Sequence, residues 1–123
     1  MRTRHPIVRK TRVPLYDSLE LALVVADDLM VGAREVASWI NPEDHGIEES
    51  DICLANTDDH GKFVIIFKRG ELTHDAIGHE IAHCAGYMMK FLGIKYDPDN
   101  DEPFAYLIGW LSDFVYRNIP KTL

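Results

Sequence analysis

The chain has 123 residues, 46% of them apolar, and a formal charge of −7. That length suits one domain with its own core, and the apolar share is too high for a disordered chain. The acidic balance excludes a broad nucleic-acid surface, which needs a net basic face.

The chain starts basic. Arg2, Arg4, Arg9, Lys10 and Arg12 crowd the first dozen residues. They predict a flexible, solvated arm over 1–12, followed by a single domain over 13–123. Such an arm could touch a phosphate or an acidic partner. The same charges interrupt any apolar stretch of a secretion signal. The longest apolar run, Leu21-Ala22-Leu23-Val24-Val25-Ala26, is far too short to span a bilayer. Cys53 and Cys84 are the only cysteines. One possible pair is no disulfide framework, so a reducing cytoplasm is the expected setting.

Leu19, Leu21, Leu23 and Val25 alternate at period two and predict a strand over about 16–26. Asp27 or Asp28 then caps a helix through Leu29–Ile40, with Val36, Trp39 and Ile40 on one face. Pro42 ends it. Two runs rich in Ile, Val, Phe and Leu flank Thr57-Asp58-Asp59-His60-Gly61 and read as a hairpin. Thr73 is a helix N-cap, and Gly93 stands where a glycine would close that helix after Leu92. A last helix begins near Asn100 or Asp101, with Pro103 in its first turn, and runs to about Asn118. The order β-α-β-β-α-α predicts an α+β fold, with helices against a small mixed sheet.

The chemistry concentrates in the long helix. His79-Glu80-Ile81-Ala82-His83 is an H-E-x-x-H motif. Residues four apart on an α-helix are turned by about 40° and rise about 6 Å, so the two imidazoles share a face. They can bind one Zn2+ together. Glu80, one step round, can hold a water beside that metal and take its proton. Two ligands make a poor zinc site, so a third is needed. Glu102 lies nineteen positions after His83. The spacing H-E-x-x-H-x18-E lets one helix finish, the chain turn, and a second helix return a carboxylate.

That pattern resembles the gluzincin class of zinc metallopeptidases. Asp101-Glu102-Pro103-Phe104-Ala105-Tyr106-Leu107 is similar to the segment around the third ligand in gluzincin aminopeptidases. The whole chain more loosely resembles small minimal zincins of phages and prophages. The resemblance implies a zincin-like frame, with His79, His83 and Glu102 as zinc ligands and Glu80 as general base. It also implies a strand beside the site helix as a rail for extended substrate, for which Phe63–Phe67 is the candidate.

Other polar residues have weaker claims. Tyr106, four after Glu102, could donate a hydrogen bond to a developing oxyanion or orient a ligand. It also reads as an amphipathic side chain at a helix contact. Asp75, four before His79, could support a ligand from behind, although an acidic residue in a first helical turn also simply favours the helix dipole. His74 is expected to face solvent and Cys84 to pack as a thiol. Asp97, Asp99 and Asp101 offer alternative carboxylates in what otherwise reads as a solvated turn.

The expected function is therefore a zinc-dependent hydrolase, a metallopeptidase acting on a peptide or protein, with no nucleic-acid or membrane partner. The alternative is a non-catalytic, zinc-containing interaction module on the same frame. A zinc hydrolase acting on a substrate other than a peptide is a third reading.

Overall fold

The computed structural model describes residues 4–121. Its elements run β1 (Ile7–Val13), β2 (Tyr16–Ala26), α1 (Leu29–Glu35), a 3-10 turn (Pro42–His45), β3 (Cys53–Thr57), β4 (Lys62–Lys68), α2 (His74–Leu92) and α3 (Glu102–Asn118). The four strands form one mixed sheet in the order β1-β2-β4-β3. β1 is antiparallel to β2, β2 is parallel to β4, and β3 is antiparallel to β4. The fold is α+β.

β2 and β4 form the centre of the sheet and are buried on both faces. That is why Phe63, Val64, Ile65, Ile66 and Phe67 form an unbroken apolar run instead of an alternation. One sheet face carries Leu19, Leu21, Leu23, Val25, Phe63, Ile65 and Phe67 and packs with residues of α2 and α3. The other carries Ala22, Val24, Ala26, Val64 and Ile66 under α1. Small side chains let α1 approach closely. A Cβ on Gly32 would lie 2.8 Å from the Ile66 side chain.

The basic start of the chain differs from the expected arm. Residues 7–13 form an edge strand, paired with β2 from Ile7↔Val25 onward, so the observed order gains a strand at its beginning. An edge strand tolerates outward charges, which protect its free side from pairing with other chains. Four contacts fasten its entry: the Arg4 and Arg69 guanidinium groups bind the Asp27 carboxylate at 3.0 and 2.8 Å, the Arg4 amide donates to it at 3.0 Å, and Arg69 also donates to the His5 carbonyl at 2.9 Å. The Arg4 amide, and then the Arg69 guanidinium, hold the Asp27 carboxyl below its ordinary range. Arg2 lies outside the described residues.

α1 is shorter than expected. Asp28 caps it by accepting from the Met30 and Val31 amides, but the helix ends at Glu35. The chain then turns so that Val36 and Ile40 stay buried. The ammonium groups of Lys10 and Lys62 both lie over the Trp39 ring, 5.0 and 5.1 Å from its centre.

α2 has the bounds its local signals predict. The Thr73 hydroxyl accepts from the Ala76 amide at 3.0 Å. Gly93, at φ 73°, ends the helix, and the Ile94 amide bonds back to the Met89 carbonyl, a Schellman-type close. α3 returns antiparallel to α2. Its last turn meets the start of α2, where Tyr116 bonds His74 at 2.7 Å. Its first turn meets the end of α2, where Phe104 shares a pocket with Gly86, Met89 and Lys90. Among the described residues no helix is long and apolar enough to cross a membrane.

Candidate metal centre

α2 divides its residues by angle. Ile77, Ile81, Cys84, Ala85 and Met88 face the sheet and are buried. His79 and His83 lie on the outer side and are exposed. Their Nε2 atoms are 3.1 Å apart, and their rings meet edge to face at 4.6 Å. One imidazole donates this bond and the other accepts it, according to their tautomers. Two nitrogens on one tetrahedral zinc, each about 2.0–2.1 Å from it, stand about 3.3–3.4 Å apart. The pair therefore fits a shared ion almost as it stands. His83 is also steadied by a stack on Tyr87, four residues on, with centroids 6.2 Å apart and planes 18° off parallel.

Glu80, about 60° round the helix from His83, turns inward toward β3. It is 6% exposed and is the one charged residue in the buried set of the described chain. Its Oε2 accepts a hydrogen bond from the Cys53 thiol on β3 at 3.1 Å. Burial, then the Glu80 carboxyl, push the Cys53 thiol up to about 12. Cys84, fully buried below, is raised as well, chiefly by burial and then by Glu80. Both thiols are free.

The remaining expected residues are not gathered here. Glu102 is the first residue of α3 and is exposed. The first turn of α3 meets α2 around Gly86, Met89 and Lys90, three to seven residues beyond His83 and about 4–10 Å further along the helix axis. Among the described residues, no three His, Cys, Asp or Glu side chains form a metal-holding group. The histidine pair can supply two of the three protein ligands that a zinc site needs, and Glu102 does not complete the set in this arrangement.

Tyr106 is committed elsewhere. Its hydroxyl donates to the Pro14 carbonyl at 2.7 Å, and its ring packs edge-on to Tyr16 at 5.8 Å. It ties α3 to the β1–β2 turn. Asp75 is exposed in the first turn of α2, where a negative charge favours the helix dipole. His74 is exposed, as expected, and also stacks on Tyr116 and joins the two helices.

The strand expected to guide a substrate is enclosed in the sheet. β4, which holds Phe63–Phe67, has β2 on one side and β3 on the other, so it has no free edge to offer. β3 is the edge strand that packs nearest α2. Between them lies a cleft of about 600 Å³ lined by Asn56, Thr57, Asp59, Tyr87, Lys90 and Phe91. It continues from the His83–Tyr87 stack along the helix.

Cys53 was not singled out from the sequence. The alternation along β3 points Cys53 and Ala55 to the α2 side and Leu54 to the α1 side. That much is periodic. Which helix covers the strand is settled only by the fold. Comparison with protein-family models, with curated proteins and with solved structures found no match.

Proposed function

We propose that this chain is a zinc-dependent hydrolase, with a peptide or protein as substrate, in which His79 and His83 hold the ion and Glu80 moves the proton. The observation that carries the reading is the histidine pair, with Nε2 atoms 3.1 Å apart, on the same helix turn as a buried carboxylate. When bound, zinc supplies Lewis acidity toward water and a carbonyl oxygen. The protein supplies the rest. Glu80 accepts the proton of an attacking water and hands it to the leaving amine. Its Oε1 is the atom for this, because Oε2 is engaged by Cys53. The free edge of β3 offers backbone groups to an extended peptide, and the cleft beside it takes a side chain. An antiparallel edge strand next to a helix bearing H-E-x-x-H is in keeping with a zincin-like frame. Two free thiols suit a reducing compartment such as the cytoplasm.

Glu102 is the carboxylate that the sequence spacing offers as a third ligand. Its place at the far end of α2 favours a second reading. In that reading the chain is a zinc-containing interaction module without catalysis, whose two-histidine site binds an ion but is not organised for turnover.

Metal analysis of untagged protein, with a peptide-library digest, tests the first reading. The expected results are about one zinc per chain and cleavage that Glu80→Gln abolishes. Protein that takes up no zinc on reconstitution sinks both readings. Zinc uptake with no cleavage leaves the module.

A further inference from the structure

A carboxylate removed from water needs hydrogen-bond donors to offset its lost hydration. Glu80 is 6% exposed, and among the described residues the one side-chain donor that reaches it is the Cys53 thiol, 3.1 Å from Oε2. The two residues are 27 positions apart and sit on different elements. A thiol is a weak donor, so this contact does little to offset the burial of a carboxylate. It does restrict where the carboxylate points. Cys53 approaches from β3 and takes one oxygen, and no described side chain donates to Oε1. Cys84 packs in the apolar core and is not hydrogen-bonded to Glu80.

We infer that Cys53 is a positioning residue for Glu80: its S–H, donated to Oε2, fixes the carboxylate and leaves Oε1 free for proton transfer. This rests on the reading of Glu80 as general base. The thiol is suited to the task. With its pKa held up to about 12, it keeps its proton throughout the neutral range and remains a donor. Because it is a weak partner, it orients the carboxylate without satisfying both oxygens. The edge strand that would receive a substrate thus also holds the base.

The test has two arms. The first uses metal-free protein and infrared absorption in the S–H stretching region. Cys53→Ala and Cys84→Ala assign the two thiol bands. Glu80→Gln is expected to move the Cys53 band to higher frequency, as its acceptor weakens, and to leave the Cys84 band nearly in place. An unmoved Cys53 band overturns the inference.

The second arm uses zinc-loaded protein and any peptide that the wild type cleaves. Cys53→Ala and Cys53→Val should lower kcat on the order of ten- to a hundredfold, the cost of a misplaced base, with KM changed by less than about twofold. Cys53→Ser, which keeps a donor, should restore most of kcat. The Val variant guards against a cavity effect, and thermal melting checks that each variant folds. Equal kcat in wild type, Cys53→Ala and Cys53→Val overturns the positioning role while the hydrolase reading stands. A wild type that cleaves nothing overturns the hydrolase reading, and the positioning role with it.

Discussion

The Nε2 atoms of His79 and His83 stand 3.1 Å apart on the outer face of α2, while Glu80, between them in sequence, points inward to the Cys53 thiol. One helical turn thus presents two nitrogens to solvent and withdraws a carboxylate from it. Helix geometry alone produces the split. Glu80 lies about 100° from His79 and about 60° from His83 around the axis, enough to cross from the exposed side to the β3 side.

Zinc binding should depend unequally on the three expected ligands. Loss of a group behind a metal ligand costs about 10–100-fold in affinity, and loss of a ligand itself costs more. His79→Ala and His83→Ala are therefore expected to weaken zinc by more than about a hundredfold, read by titration calorimetry. Glu102→Ala discriminates between arrangements. A loss as large as that for His83→Ala would bring Glu102 into the shell and require the first turn of α3 to shift. No effect leaves a two-histidine site and removes the gluzincin arrangement.

Stability should fall at alkaline pH because of the thiols. In the folded chain the Cys53 pKa is raised from 9.0 to about 12, and that of Cys84 is raised as well. Their contribution is fully present below the unfolded value of 9.0. As pH rises above it, the unfolded chain releases protons that the folded chain retains, and unfolding is favoured. Urea midpoints measured from pH 8 upward should decline in the wild type and decline less in Cys53→Val and Cys84→Ala. Parallel curves for all three would contradict this.

Asp27 should make the attachment of β1 sensitive to acid. Its pKa is lowered from 3.8, first by the Arg4 amide and then by Arg69. A depressed carboxylate contributes stability above its unfolded value and loses it as pH falls through the folded one. The wild type should therefore lose stability below about pH 4 more steeply than Asp27→Asn, which is weaker from the start. Hydrogen exchange of the β1 amides reads the same event locally, and faster exchange in Asp27→Asn at neutral pH is expected.

Leu15 sits in the β1–β2 turn at φ 71° and is 77% exposed. Pro14 before it suits the first corner of a type II turn, whose second corner calls for glycine. A left-handed backbone costs an L-residue about 1–2 kcal/mol, and glycine returns part of that through a looser unfolded chain. Leu15→Gly is expected to stabilise by about 0.5–1 kcal/mol, seen as a rise in Tm. A fall in Tm would show that the exposed leucine makes a stabilising contact.

Much of the architecture was legible because its signals are local. Thr73 and Gly93 bracket α2, Pro103 opens α3, and the apolar run of β4 marks a doubly covered strand. β1 was not legible. Its charges read as an arm, and a charged strand becomes ordered only when a neighbour supplies hydrogen bonds. Here β2 does so, helped by Asp27 and Arg69. Glu102 illustrates a different limit. α2 continues nine residues past His83 to Leu92, so an antiparallel partner that starts at Glu102 starts at the far end. Sequence spacing counts residues, whereas a ligand set requires distance. On this helix pairing, the level of His83 falls opposite a later turn of α3.

The sequence by itself determined the H-E-x-x-H face, because four residues on one helix bring two imidazoles together whatever surrounds them. It also determined the helix ends and the central strands, through capping, glycine and periodicity. Only the tertiary structure decided that Glu80 is buried against Cys53, that β3 and not β4 holds the free edge beside α2, and that Glu102 stands apart from the histidines. Those three facts depend on how separate elements stack and pair, and the packing of a whole core sets them.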